Sequence, residues 1–160
     1  MNESSTNTRP PRFALLTLFL VVACVGCNLR SDTKLKNVFE ANTSDFIRLA
    51  TMSMLDRNVA RLPVGAVRPN EINISAERWQ EYQRLFHNLG ITQGMEHLYD
   101  RPGVVLFYTE CQGTAITRDC KGYACSEESL TPIRDNLDSL APGIAFKPLT
   151  QNWYLFRDGG

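Results

Sequence analysis

Histidine is nearly missing from this chain: His87 and His97 are the two in 160 residues. Ten positions apart, they do not share a helix face as a metal pair does, and no carboxylate stands at a spacing that completes a zinc site. No Gly-x-Ser-x-Gly elbow occurs, which disfavours a hydrolase of that type. No glycine-rich, phosphate-cradling loop occurs either. Neither sign of charge is in excess, with 17 Lys and Arg against 17 Asp and Glu. That balance argues against nucleic acid or anionic lipid as an electrostatic partner. Long hydrophobic runs are lacking too: the apolar stretch 13–26 has 14 residues, whereas a spanning helix needs about 20. Internal repeats are absent.

What the first 27 residues do contain is an address. Arg9 and Arg12 precede the apolar run, and small residues lead into Cys24 and then Cys27. A positive start, a short apolar core and small residues before a cysteine describe an export signal; a buried core helix or an uncleaved anchor is the alternative. The segment resembles the lipobox of bacterial lipoproteins. Val21, Val22 and Ala23 before Cys24 fit that motif at all three positions; Cys24, Val25 and Gly26 before Cys27 fit at two. The resemblance implies lipidation of Cys24, with Cys27 as the alternative, and palmitate-type acyl chains as the membrane link. Asn28 follows Cys27, so neither cysteine carries the Asp that resembles an inner-membrane retention signal. The spacing Cys24-x-x-Cys27 is formally a redox motif, but it closes an apolar signal instead of opening a helix beside a strand.

Cleavage before Cys24 leaves 137 residues with 15 basic and 16 acidic side chains. One domain of that size builds a core without a metal. Cys111, Cys120 and Cys125 fall within 15 residues and are disulfide candidates in an oxidising envelope. One is left over unless Cys27 remains as a fourth. One local disulfide, three free thiols, or a metal or redox site are the readings open to them, and connectivity is not legible from sequence.

Residues 1–23 are thus expected as signal, 24–43 as a lipid-anchored tether with a short helical turn near 35–39, and 44–160 as the domain. Ser44 as cap and Asp45 in the first turn precede Phe46, Ile47, Leu49, Ala50, Met54 and Leu55, which predicts a helix over 45–57. Ser75, the stripe Trp79, Tyr82, Leu85, Phe86 and Leu89, and then Gly90 predict a second helix over 76–89. Residues 103–110 are β-branched and aromatic and predict a central strand. A turn at Gln112 and Gly113, a returning strand over 114–118, and a second turn at Lys121 and Gly122 into an extended segment 123–126 would complete a meander. Residues 127–142 form a charged excursion. Extended segments 144–149 and 153–156 close the chain, with Trp153 and Leu155 on one face and Tyr154 and Phe156 on the other. The expected class is α+β: two helices on an antiparallel sheet of four to five strands, helices first.

Lys121, Gly122, Tyr123 and Ala124, then Leu137 to Leu140, then Asn152 to Phe156, are similar to small uncharacterised bacterial proteins with a Lys-Gly-Tyr strand and a closing Asn-Trp-Tyr hairpin. The similarity spans 75–157 and implies a shared fold, with no activity to transfer. The functional expectation is a non-catalytic, lipid-anchored envelope protein that binds an envelope protein or a cell-wall component through its sheet or its 127–142 loop, without cofactor or nucleic acid. The alternatives are a small periplasmic hydrolase using Glu110, Asp119, Lys121 and Tyr123, with Glu127 a further carboxylate at a strand end, and a thiol redox or metal module using Cys111, Cys120 and Cys125.

Overall fold

The computed structural model describes residues 29–114, 117–139 and 142–159. Three helices, α1 (Asp32–Ala41), α2 (Thr43–Leu55) and α3 (Ala76–Leu89), pack on one antiparallel sheet. Its strands are β1 (Arg61–Leu62), β2 (Gly94–His97), β3 (Val105–Gln112), β4 (Asp119–Cys125), β5 (Gly143–Pro148) and β6 (Trp153–Gly159), in the order β1-β2-β3-β4-β6-β5. The class is α+β as expected. Among the described residues, three helices and six strands replace the expected two helices and four to five strands.

The additional helix lies inside the stretch expected as a tether. Ser31 Oγ accepts from the Lys34 N–H and caps α1, and Leu35 and Phe39, one turn apart, are buried. So narrow a stripe in a polar segment is enough for a helix that docks on a sheet. The extra strands, β1 and β2, have two and four residues, too few to show an alternating pattern. Between α1 and α2 the chain turns at Asn42, whose side-chain amide donates to the Val38 carbonyl at 2.8 Å. Consequently α2 starts at Thr43, one residue ahead of the expected Ser44 cap. Phe46, Leu49 and Ala50 face the core, whereas Ile47 and Leu55 point to solvent. α3 has the expected bounds: Ser75 caps it, Gly90 closes it at φ 66°, and Ile91 N–H reaches back to the Phe86 carbonyl.

The expected turn at Lys121 and Gly122 is instead the middle of β4, and the return from β3 begins at Asp119. Gly122 serves close approach rather than reversal. A Cβ there would stand 2.0 Å from the Phe107 carbonyl oxygen and 3.0 Å from the Phe156 ring, which is how a strand-interior glycine earns its place. Alternation then sends Tyr123 and Cys125 to the helical side and Cys120 and Ala124 to the other. On β6 Trp153 and Leu155 face the helices and Tyr154 and Phe156 face away, as expected.

Between helices and sheet sits an aromatic knot. The Phe46 ring centroid is 4.5 Å from Tyr123 and 5.2 Å from Trp153, and Phe39 is 5.6 Å from Trp153. The excursion after β4 is a strap around the sheet edge. Leu130 is buried with the residues of the outer face, Ile133 forms a parallel bridge to Phe146 of β5, and Leu137 is buried on the helical side. Replacing Gly122 by Ala should destabilise the domain by about 3 kcal/mol through overpacking, read as a lower urea midpoint at unchanged slope.

Candidate functional site

Asp119, Lys121 and Tyr123 share the helical face of β4, and Glu110 lies across from Lys121 on β3. Each of the four is committed to a different structural partner. Glu110 Oε2 accepts the Arg30 main-chain N–H at 2.8 Å. The Tyr123 hydroxyl donates to the Leu35 carbonyl at 3.0 Å inside the core, and burial raises its pKa, so the phenol stays neutral. Asp119 takes a two-pronged grip from Arg157, Nε to Oδ1 at 3.0 Å and Nη2 to Oδ2 at 2.7 Å.

Lys121 is the most constrained of the set, with 1% of its surface exposed. Its Nζ lies 2.6 Å from Asp32 Oδ1 and also contacts Asp138 Oδ1. Asp32, the first residue of α1, accepts in addition from the Leu137 N–H and from Lys147 Nζ, both at 3.0 Å. Its own main-chain N–H donates to Asp138. Arg157 Nη1 donates to the Leu137 carbonyl at 2.7 Å. One network therefore ties α1, β4, β5, β6 and the strap. Burial by itself would raise the Asp32 carboxyl, but the Leu137 N–H and the two lysines outweigh it and hold the pKa below the ordinary value.

The lipidation candidates Cys24 and Cys27, with the signal segment, lie outside the described residues. Cys111 and Cys120 are cross-strand partners on β3 and β4, joined by a disulfide with Cα atoms 4.1 Å apart. Arg118 lies over it, Nε 2.8 Å from Cys120 Sγ and Nη2 3.3 Å from Cys111 Sγ. Cys125 is a free, buried thiol, and burial pushes its pKa up to about 11. Among the described residues no group of three or more His, Cys, Asp or Glu side chains is placed to hold a metal ion.

A cleft of about 610 Å³ opens at the other end of the strands, where β2 finishes and β3 begins. Met54, Tyr99 and Val105 supply apolar wall, and Arg57 and Glu127 supply a charge of each sign. That volume lies in the range of small-molecule sites, about 300–1,000 Å³. His97 lines it too. Its main-chain N–H donates to the Ala60 carbonyl at 2.8 Å. Burial and then the Arg57 charge lower its pKa, so the ring is neutral near pH 7, and its buried Nε2 has no hydrogen-bond partner. His87, by contrast, is exposed in the last turn of α3. Trp79 is buried in the core. No local motif announces the cleft, because its walls come from three separated segments, 54–60, 97–105 and Glu127.

Comparison with protein-family models, with curated proteins and with solved structures finds no match to this chain.

The Asp32 carboxyl has a lower pKa folded than unfolded, so its contribution to stability is full above the unfolded value, about 3.9, and is lost as pH falls through the folded value. Urea midpoints measured across acid pH should show that loss, and Asp32→Asn should remove it. At pH 7 the same variant should cost about 3 kcal/mol, since it strips a counter-charge from a buried lysine. Cys125 is expected to resist a thiol reagent at neutral pH until denaturant is added, as a buried protonated thiol must; prompt labelling of the native protein would contradict its placement.

Proposed function

We propose that this chain is a lipid-anchored protein of the cell envelope, and that its α+β domain is a non-catalytic binding module facing the periplasm or exterior. The observation that carries this reading is the Cys111–Cys120 disulfide in a chain that opens on an export-type segment. Such bonds persist in oxidising compartments and are rare in the cytosol. Among the described residues no helix is long and apolar enough to cross a membrane; acyl chains on Cys24, or on Cys27 as the alternative, supply the attachment. The engagement of Glu110, Asp119, Lys121 and Tyr123 with structural partners weakens the hydrolase alternative. The open cleft beside His97 offers a recognition surface for an envelope protein or cell-wall component.

Arg118 favours a second reading, thiol exchange at Cys111–Cys120. A guanidinium beside both sulfurs stabilises the thiolate that reduction would create. In that case the bond should be reduced in the native protein by mild dithiol, and Arg118→Ala should slow the reaction; a disulfide untouched short of denaturation removes the idea. For the leading reading, cells fed labelled fatty acid should transfer it to the protein, and Cys24→Ala should abolish the label. Label retained in that variant and lost in Cys27→Ala would move the anchor to Cys27. A native protein that stays unacylated and keeps Met1 would end the proposal.

A further inference from the structure

Arg30 lies two residues before α1. Its main-chain N–H is held by Glu110, its guanidinium Nη1 donates to the Gly90 carbonyl at 3.1 Å, and Ser31 then caps α1. Both partners of Arg30 belong to one end of the domain. Gly90 terminates α3. Glu110 is two residues from the end of β3, where Gln112 pairs with Asp119 and the β3–β4 turn reverses the chain. The other end of the strands, where His97 pairs with Val105, carries the cleft and the fully exposed Tyr99. Glu110 and Val105 stand five positions apart on β3, about 17 Å along the strand.

Cys24 stands six residues before Arg30, and Cys27 three. At roughly 3.5 Å per residue fully stretched, a lipid on Cys24 keeps Arg30 within about 21 Å of the headgroup level, and one on Cys27 within about 10 Å. A long spacer would let the domain tumble freely, but α1 takes up the residues that would have formed it. We infer that the end carrying Gly90, Glu110 and the β3–β4 turn is the surface apposed to lipid headgroups, and that the mouth of the His97 cleft is turned toward the aqueous side. Thr117 after the turn and Lys34 in the first turn of α1 are exposed and polar, side chains that suit contact with a headgroup layer. The partner of this surface is the bilayer that holds the anchor. The orientation rests on the lipidation proposed above.

The full chain, purified as the cell processes it, tests this directly. A clickable non-natural residue replaces either Thr117 or Tyr99, both exposed, and carries a donor fluorophore. The protein is placed in phosphatidylethanolamine and phosphatidylglycerol vesicles with a headgroup-linked acceptor. Energy transfer should be about twofold higher from position 117 than from position 99, given the ~17 Å or more between the two ends. Inserting about 20 Gly and Ser residues after Asn28, which adds roughly 25 Å of reach, should erase the difference. Equal or reversed transfer in acylated protein overturns the orientation and leaves the anchor standing. Protein that takes up no labelled fatty acid and does not join the vesicles overturns both.

Discussion

An ammonium group shut inside a protein must find its counter-charge there, and the rest of this fold is arranged around that requirement at Lys121. The lysine sits mid-strand on β4 with its side chain under the helices. Its two carboxylates come from far along the chain in both directions, Asp32 at the head of α1 and Asp138 in the strap. β4 can therefore be covered only when both segments are docked. A buried ion pair adds little over well-packed apolar residues, but losing one partner is costly, about 3–5 kcal/mol. The network thus acts as a lock on arrangement more than as a source of net stability.

Three further ties lie near the same end of the sheet. The grip of Arg157 on Asp119, the disulfide between Cys111 and Cys120, and the docking of Arg30 on Glu110 and Gly90 all lie toward the turn between β3 and β4. At the opposite end stand a fully exposed tyrosine, a neutral histidine with an unpartnered nitrogen, and an open cleft.

Legibility followed locality. α3 was plain because its cap, its stripe and its closing glycine all lie within 16 consecutive residues. The two faces of β6 were plain because alternation needs only neighbours. α1 was legible only as a short helical turn near 35–39, since Leu35 and Phe39 look like scattered apolar positions until a sheet is placed beneath them. Gly122 invited a turn because glycine usually marks one, and only the Phe107 carbonyl pressing on it explains its presence in a strand. Asp119, Lys121 and Glu110 drew attention as acid and base groups. Their partners, Arg157, Asp32 and the Arg30 amide, are 38, 89 and 80 residues away and leave no pattern near them.

By its own periodicity, then, the sequence determined the α+β class, α3, the alternation of the last strand and the proximity of the three clustered cysteines, because each of these depends on residues near one another along the chain. Tertiary structure alone decided which two cysteines join, that the helical turn before α2 extends to a ten-residue helix, that a mid-strand lysine is neutralised by carboxylates from two distant segments, and that a cleft forms beside His97. Those outcomes require strands and helices to be brought together in space, and the ledger of charges and contacts that selects them exists only after the chain has closed.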